Sequence, residues 1–271
     1  MPELPEVETV RRGIAPHVTD KVILELILRT PKLRLPLDPE LCRILRGQVI
    51  RKVSRRAKYL LMTTDQGGLI IHLGMSGVLR ILSAGSTEHK HDHVDLIFTD
   101  GTCLRFTDPR RFGMFIYSTD DPLEHPLLAG LGPEPFDDNF QGELLYQLSR
   151  GKKQAVKTFI MDQKIVVGVG NIYANEVLFR AGIHPARAAG RISRQRYERL
   201  VTAIKEVLTA AIASGGTTIS DFSRSDGRPG YFRQELLVYG RGSQPCFACG
   251  RIIRTCRLGQ RSTFLCAFCQ R

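Results

Sequence analysis

Four cysteines near the carboxyl terminus have the spacing of a metal site. They form two pairs, Cys246 with Cys249 and Cys266 with Cys269, and 16 residues separate the pairs. Two thiolates in one tight turn bind a metal ion from the same side, and a second such turn completes the tetrahedral sulfur set that Zn²⁺ prefers. Two disulfides or free buried thiols are the alternatives, and disulfides are disfavoured in a reducing compartment. We therefore expect one structural Zn²⁺ at these four cysteines.

The segment around these cysteines is basic. Residues 241–271 contain six arginines, no lysine and no acidic residue. Because a segment this short buries little apolar surface, metal binding would supply its folding free energy. An arginine-rich hairpin suits contact with phosphates or with a DNA groove. The other cysteines match neither spacing, so we expect Cys256 not to be a ligand and Cys42 and Cys103 to lie in the core.

The chain as a whole is also basic. Its 271 residues include 39 lysines and arginines against 27 acidic residues, which gives a net charge of +12. Such an excess favours polyanionic partners, above all nucleic acid, although charge alone also fits a merely soluble basic protein. No apolar run approaches the ~20 residues that span a bilayer, so we expect no membrane partner. The acidic opening, residues 1–6, is unlike a secretory signal, which predicts a cytoplasmic protein.

The elements that must position these residues begin with a helix. Pro5 suits a first helical turn, Val7, Val10 and Ile14 form an apolar stripe, and Pro16 discourages extension. Short strand-like runs follow with no long helix between them, which favours a β-sandwich or barrel over a parallel sheet. These runs are residues 22–28, 47–53, 59–64, 68–73, 78–82, 94–98, 102–106 and 112–117.

After residue 133 the pattern becomes helical. Helices are predicted over residues 142–149, 154–163, 171–181 and 193–214. In the last of these, Ser193 suits the N-cap and the glycines that follow residue 214 stop the helix. A glycine-flanked turn places Asn171 and several backbone amides at a helix N-terminus, where a phosphate can bind. A plain connection between helices is the commoner explanation of such a turn.

Five separated motifs, followed by the four-cysteine hairpin, resemble the formamidopyrimidine-DNA glycosylase family, and in particular its bacterial members. The motifs are PELPEVE (2–8), RAKY (56–59), HLGMSG (72–77), DPRRFG (108–113) and GVGNIYANE (168–176). Their order along the whole chain makes the resemblance specific.

The resemblance implies an α+β multi-domain fold. Its first part is an amino-terminal helix with a two-layer antiparallel β-sandwich, over residues 1–133. A helix-two-turns-helix domain follows over residues 134–235, and within it residues 217–231 correspond to the family's lesion-reading loop. A zinc-finger β-hairpin completes the chain over residues 236–271.

The resemblance also implies a reaction. Members of the family remove oxidised purines, 8-oxoguanine and formamidopyrimidines, from damaged double-stranded DNA and then cleave the strand by β,δ-elimination. We expect Met1 to be removed, which leaves Pro2 with a free secondary amine. An α-amino group has a pKa near ~8, about two units below that of lysine, so more of it is nucleophilic at neutral pH. Attack on the sugar C1′ would expel the base and form a Schiff base. Considered alone, Pro2 would merely begin a helix.

Three further residues match catalytic positions of the family. Glu3 matches a catalytic acid, although by itself it is a favourable charge at a helix start. Lys58, which lies in a basic run, matches a lysine that takes part in proton transfer and phosphate contact. Arg261 matches an arginine that binds the phosphate beside the lesion and assists the second elimination.

Other residues match the family's DNA contacts. A damaged base must be turned out of the duplex before an amine can reach its sugar, and this leaves a void in the stack. Met75, Arg110 and Phe112 match the three residues that fill the void, although by themselves Met75 and Phe112 would be core residues. Phosphate contacts of the family are matched by His91, Lys152 and Asn171.

Other interpretations remain open at this point. An endonuclease VIII-like glycosylase uses the same chemistry on oxidised pyrimidines, but the intact Met75, Arg110 and Phe112 set favours the purine enzyme. A non-catalytic zinc-dependent DNA-binding protein would need only the basic charge and the metal. The histidine-rich run 88–93 permits a metal site, although the sequence specifies no ligand geometry there. We expect a monomer associated with a bacterial nucleoid.

Overall fold

The computed structural model describes residues 2–215 and 236–271. Contacts within the chain divide these residues into two compact units, the first with residues 2–129 and the second with residues 130–214 and 236–271. The division into three domains remains a prediction. The predicted lesion-reading segment, residues 217–231, lies outside the described residues.

The first unit is a two-layer antiparallel β-sandwich that begins with a helix, as the resemblance implies. One sheet has the strand order β1-β6-β7-β5 and the other has the order β2-β3-β4-β8. The helices are α1 (Leu4–Val18), α2 (Leu41–Leu45) and α3 (Pro126–Ala129). The strands are β1 (Ile23–Leu28), β2 (Lys52–Arg56), β3 (Tyr59–Thr64), β4 (Gly67–His72), β5 (Val78–Ser83), β6 (Asp92–Phe98), β7 (Thr102–Thr107) and β8 (Met114–Ser118).

Helix α1 begins where the sequence predicts, because its first turn holds a capping box. The Glu3 N–H donates to the Glu6 carboxylate at 2.8 Å, and the Glu3 side chain accepts from the backbone of Glu6 in return. Contrary to the expectation, the helix continues two residues past Pro16. The missing proline donor is tolerated so close to the end, where the Thr19 N–H still donates to the Ala15 carbonyl at 3.1 Å.

The core of the first unit lies between its two sheets and α1. Buried side chains such as Ile14, Leu69 and Phe98 belong to one continuous apolar cluster. The strand expected from residue 47 begins only at Lys52. The residues before it, 47–50, bond irregularly to residues 20–23 instead, which delays the regular ladder.

The second unit combines helices with a two-stranded hairpin. Its helices enclose a separate core in which Tyr173 and Tyr197 are fully buried. The long helix lies where the sequence predicts it, with Ser193 at its N-cap, whereas the helix predicted over residues 154–163 is shorter. The helices are α4 (Gly142–Ser149), α5 (Val156–Ile160), α6 (Asn171–Arg180) and α7 (Arg194–Ala213), and the strands are β9 (Arg254–Leu258) and β10 (Arg261–Leu265). No helix in the described ranges is long and apolar enough to cross a membrane.

Candidate functional site

The predicted nucleophile lies at the entrance to α1. Pro2 is buried and directly precedes Glu3, which is buried as well and occupies the N-cap of the helix. Glu3 therefore has the helix-capping role that its position suggests, and it stands beside the residue that would carry the amine. The capping box orders the backbone immediately after Pro2.

Lys58 lies in the tight turn between β2 and β3. The preceding residue, Ala57, has a positive φ of 54°, and the Arg55 guanidinium donates to its carbonyl at 2.9 Å. The same guanidinium donates to the Glu8 carboxylate on α1 at 3.3 Å. Glu8 and Arg55 thus connect the helix that follows Pro2 to the turn that carries Lys58, whose side chain is buried.

Glu8 is held in its charged form. Burial alone would raise the pKa of its carboxyl, but hydrogen bonds from Arg11 and Arg12 and the charge of Arg55 lower it to about 2. The bonds from Arg11 Nη2 and Arg12 Nε to Glu8 Oε1 are both 2.8 Å long. A permanently charged Glu8 keeps its link to the Lys58 turn across the physiological pH range.

His72 adjoins both the Lys58 turn and the Met75 turn. Its ring lies 4.9 Å from the Tyr59 ring, and its Nδ1 accepts from the Gly74 N–H at 2.9 Å. Burial, followed by the charge of Lys58, lowers the pKa of His72 to about 4. The ring is therefore neutral, with its proton on Nε2, and it fixes the start of the Met75 turn.

The structure brings the three predicted void-filling residues onto two adjoining loops, 74–77 and 108–113. The buried Asp108 carboxylate joins the loops: Oδ1 accepts from the Ser76 hydroxyl at 2.6 Å, and Oδ2 accepts from the Gly113 N–H at 2.8 Å. The backbone of Gly74 packs against the other loop so closely that a Cβ there would lie 2.4 Å from the Phe112 carbonyl carbon. These contacts leave no room for a side chain at Gly74.

Unlike the buried Asp108, the three predicted void-filling side chains on these loops are exposed or half-buried. Phe112 is 45% exposed, and the Arg110 guanidinium lies 5.0 Å from the centre of its ring. Met75 is half-buried. None of the three lies in the core, which removes the core interpretation that Met75 and Phe112 would have received alone. An exposed ring on a rigid turn suits insertion between bases.

His91 joins the same loop system through its backbone. Its carbonyl accepts from the Asp108 N–H at 3.0 Å, and the Nε2 of His93 bonds to the Asp108 carbonyl at 2.9 Å. The loop before His91 is fixed by the buried Arg105, whose guanidinium donates to the Thr87 carbonyl at 2.8 Å. Arg105 is itself held by a bidentate ion pair to a buried aspartate, Asp95, with both bonds at 2.8 Å.

Two predicted phosphate contacts, Lys152 and Asn171, lie in the second unit. Lys152 is exposed, and its carbonyl accepts from the Gly190 N–H at 2.9 Å. Asn171 is the first residue of α6, after Gly170 at the N-cap. Its side-chain oxygen is buried and has no hydrogen-bond partner among the described residues. Turning this amide over would present its NH₂ group as a donor to an anion.

Arg261 begins β10, immediately after the tip of the hairpin. The hairpin is bonded to α5 and α6, since the fully buried Lys157 donates to the Ser262 carbonyl at 2.9 Å and to the Thr263 hydroxyl at 2.8 Å. The Phe264 N–H donates to the Asn175 side chain at 2.8 Å. These bonds fix the strand that carries Arg261. Arg261 belongs to the second unit, whereas Pro2, Glu3 and Lys58 belong to the first.

The four predicted metal ligands form one group. Their Sγ atoms all lie within 4.8 Å of one another, with Cys249 and Cys266 at 3.4 Å and Cys246 and Cys269 at 4.0 Å. Four sulfurs at ~2.3 Å from a tetrahedral zinc ion would be about 3.8 Å apart, so the group can hold a metal ion. All seven cysteines are free thiols, and the exposed Cys256 lies outside the group.

Several residues that position these groups were missed at the sequence level. Asp108 and Glu176 lie in the sequence motifs, but the sequence assigned neither of them a role. In the structure the Glu176 carboxylate accepts hydrogen bonds from three backbone amides at the start of the hairpin segment. No pattern in the sequence predicted a structural role for Lys157. Arg105 had no assigned role either, although it is the only charged residue of its strand.

Two family models match the chain. The model of the formamidopyrimidine-DNA glycosylase N-terminal domain matches residues 1–115, and that of the formamidopyrimidine-DNA glycosylase H2TH domain matches residues 131–223. Among curated proteins, the formamidopyrimidine-DNA glycosylase of Syntrophotalea carbinolica is 57% identical over 271 residues, which is 100% of both chains.

Solved structures give the same result. The chain is similar to that of a crystal structure of Lactococcus lactis Fpg in complex with DNA containing an abasic site, with 34% identity, a TM-score of 0.90 and 99% of each chain covered. It is also similar to the MutM (Fpg) protein of Thermus thermophilus, with 35% identity, a TM-score of 0.86 and coverage of 99% of this chain and 98% of that one.

Proposed function

We propose that Pro2 supplies the nucleophile of this chain, which belongs to the formamidopyrimidine-DNA glycosylase family and is a DNA glycosylase for oxidised purines. The observation that carries the proposal is the position of Pro2, buried before a helix whose first turn is ordered by Glu3. After loss of Met1, its secondary amine would attack the sugar C1′ as the bond from C1′ to the base breaks, and the electron pair would leave with the base.

The strand-cleaving lyase activity follows from the adduct. A secondary amine bonded to C1′ gives an iminium ion when the C1′–O4′ bond of the sugar ring opens and O4′ takes a proton, and this iminium is cationic without protonation of its nitrogen and withdraws electrons from the sugar. Loss of a proton from C2′ then expels the 3′ phosphate, and a second elimination expels the 5′ phosphate. Glu3 and Lys58 are proposed to move protons at the sugar, since both are buried and Glu8 and Arg55 connect the Lys58 turn to α1.

The damaged base is proposed to leave the duplex with help from the two loops that Asp108 joins. Met75 and Phe112 would occupy the space that it vacates, and Arg110 would donate hydrogen bonds to the base left without its partner. The rigid connection between the loops supports this role. Turning a base out of the duplex costs a few kcal/mol, and flexible side chains on mobile loops could not offset that cost.

The DNA backbone is proposed to be held by phosphate contacts at His91, Lys152 and Asn171, and by Arg261 beside the lesion. A net charge of +12 supports these contacts, since a basic surface gains affinity by releasing the counterions of DNA. Zn²⁺ is proposed as the metal of the four-cysteine group, on the donor set and the sulfur spacing. It would stabilise the hairpin that carries Arg261 and take no part in the reaction. We propose a monomer that acts on the nucleoid in the cytoplasm of a bacterium.

The proposal is tested by adding borohydride while the protein acts on a duplex that contains 8-oxoguanine opposite cytosine. Borohydride reduces the Schiff base and makes the bond between protein and DNA permanent. The protein that begins at Pro2 should form a covalent adduct with DNA. A matched protein with an amino-terminal extension should form none, because its Pro2 nitrogen is an amide, yet it should keep most of its affinity for the same duplex. Equal trapping by the two proteins would exclude Pro2 as the nucleophile.

Substrate preference is measured separately from the nucleophile. The rate of removal of 8-oxoguanine should exceed that of thymine glycol in duplexes that are otherwise identical. Faster removal of thymine glycol would instead indicate the endonuclease VIII-like activity.

A further inference from the structure

A concave site on the zinc module lies apart from the residues assigned to the reaction. It has a volume of about 430 Å³, within the range of sites that bind small ligands or side chains of a partner. We call it the arginine pocket. Its lining consists of Arg251, Ile252, Arg254, Ala267, Phe268 and Arg271.

The lining of the arginine pocket is rich in positively charged side chains. Three of its six residues are arginines, and residues 241–271 contain no acidic residue to neutralise them. Within residues 2–215 and 236–271, none of the three guanidinium groups forms an ion pair. Guanidinium groups bind carboxylates in a bidentate manner, so the pocket is complementary to an acidic ligand.

The floor of the pocket is apolar and open to solvent. Ile252 is 57% exposed and Phe268 is 43% exposed. The Arg251 guanidinium lies 3.8 Å from the centre of the Phe268 ring, and that of Arg271 lies 5.9 Å from it. The Arg251 guanidinium is therefore partly ordered before binding and covers one face of the Phe268 ring, whereas Ile252 stays open to an apolar group of a ligand.

The pocket is at the opposite end of the hairpin from Arg261. In the antiparallel register Arg261 pairs with Leu258, whereas the pocket residue Arg254 pairs with Leu265 at the other end of the strands. Four steps along a strand span about 13 Å. The pocket is therefore separate from the phosphate contact that we assign to Arg261.

We propose that the arginine pocket binds an acidic segment of a partner protein, with carboxylates on the arginines and an adjacent large apolar side chain on the exposed Ile252. A phosphodiester backbone satisfies the charge but brings no apolar group to Ile252, and the Arg251 guanidinium already occupies one face of the Phe268 ring, where a base would stack. An acidic peptide with a neighbouring apolar residue satisfies both parts of the pocket. This interaction does not depend on the glycosylase mechanism.

The test measures fluorescence anisotropy of a labelled peptide that contains consecutive aspartates followed by leucine and phenylalanine, with the full-length zinc-loaded protein. The peptide should bind with an affinity that falls as salt is added, and replacement of its aspartates by asparagines should weaken binding at least ~10-fold. The paired substitution Arg251→Ala and Arg254→Ala should cause a similar loss. Arg257→Ala, on the same strand as Arg254 but outside the pocket, is the matched control and should bind as the unmodified protein does.

Ile252→Asp provides an independent variant, since it places a repelling charge in the floor, and it should also weaken peptide binding. Zinc content measured for every variant shows that the module remains folded. Equal affinity for the aspartate and asparagine peptides would overturn the proposal, and so would an equal loss in the Arg257→Ala control. Displacement of the peptide by a short undamaged duplex, with an equal loss of duplex affinity in the paired variant, would identify the pocket as a nucleic-acid contact instead. Borohydride trapping is measured in parallel, so that failure of the Pro2 proposal is distinguished from failure of this one.

Discussion

The loops of the first unit and the hairpin of the second both carry predicted DNA contacts, but they are stabilised in different ways. The loops around Asp108 rest on a large sandwich core and are joined by the buried carboxylate of Asp108. The hairpin has only a small cluster of buried residues, and two of its four members are the metal-ligating Cys246 and Cys266. A loop on a large core can be fixed by hydrogen bonds alone, whereas a small module needs additional cross-links.

Metal removal should have the largest effect, and it should act on the hairpin alone. Structural zinc sites contribute roughly 10–16 kcal/mol to the folding of such modules, so chelation should abolish amide protection over the described hairpin segment, residues 236–271. Amides of the β-sandwich should keep their protection. Hydrogen exchange with mass spectrometry measures both, and added Zn²⁺ should restore the hairpin. Cys256→Ala is the matched control and should change nothing. If the hairpin amides stay protected after chelation, the hairpin does not depend on the metal for its fold.

Asp108→Asn should be the most damaging single change in the loops. The amide NH₂ would replace one of the two acceptor oxygens and face either the Gly113 N–H or the Ser76 hydroxyl, which leaves buried groups unsatisfied and costs about 2–3 kcal/mol. Urea unfolding should show this loss, and the rate of 8-oxoguanine removal should fall because Met75, Arg110 and Phe112 lose their common anchor. Asp120→Asn, at an exposed position, is the control. Unfolding midpoints that coincide for the two variants would show that Asp108 does not fix the loops.

Lys157→Met should weaken the hairpin by a smaller amount than metal removal. The substitution keeps most of the side-chain volume but removes the hydrogen-bond donors to Ser262 and Thr263. The hairpin should thereby lose about 1–2 kcal/mol of stabilising free energy. Exchange of hairpin amides should accelerate while that of the sandwich does not change. Lys153→Met, at an exposed position, should have no effect. If both variants exchange alike, the metal alone holds the hairpin.

The smallest effect concerns the pH dependence of the first unit. Because the pKa of Glu8 is lowered in the folded protein from 4.5 to about 2, its stabilisation is complete above 4.5 and is lost as the pH falls towards 2. Glu8→Gln should therefore cost about 1–2 kcal/mol at neutral pH, after allowance for partial solvation, and somewhat less than half of that at pH near ~3. Urea unfolding at both pH values checks this. If the free energies of unfolding of the unmodified protein and of Glu8→Gln differ by the same amount at both pH values, Glu8 does not act through its charge.

Features that form between residues close in sequence could be predicted, whereas long-range contacts could not. The metal group was predictable because each pair of cysteines forms a local turn, and α1 was predictable because Pro5 and the apolar stripe of the helix are close in sequence. Sheet and helix content followed from local patterns too. The bonds that fix the sites are long-range: Ser76 and Asp108 are separated by 32 residues, and Lys157 and Thr263 by 106. No local pattern identifies such partners.

The errors have the same origin. The strand expected from residue 47 begins later because residues 47–50 bond to residues 20–23, which is a tertiary contact. Helix α1 passes Pro16 because a proline in the last turn loses only one donor. The role of Pro2 followed from neither periodicity nor spacing. It depended on the resemblance to the family and on the chemistry of an unblocked secondary amine.

The role of Pro2 is tested most sharply by locating the bond between protein and DNA after borohydride trapping. Proteolysis of the trapped adduct and mass spectrometry identify the modified residue. Pro2 and Lys58 are both amines that could form an adduct at C1′, so the measurement separates them. We expect the sugar to be attached to the nitrogen of Pro2 in the amino-terminal peptide. An adduct on Lys58, or on any other lysine, with Pro2 unmodified would contradict it.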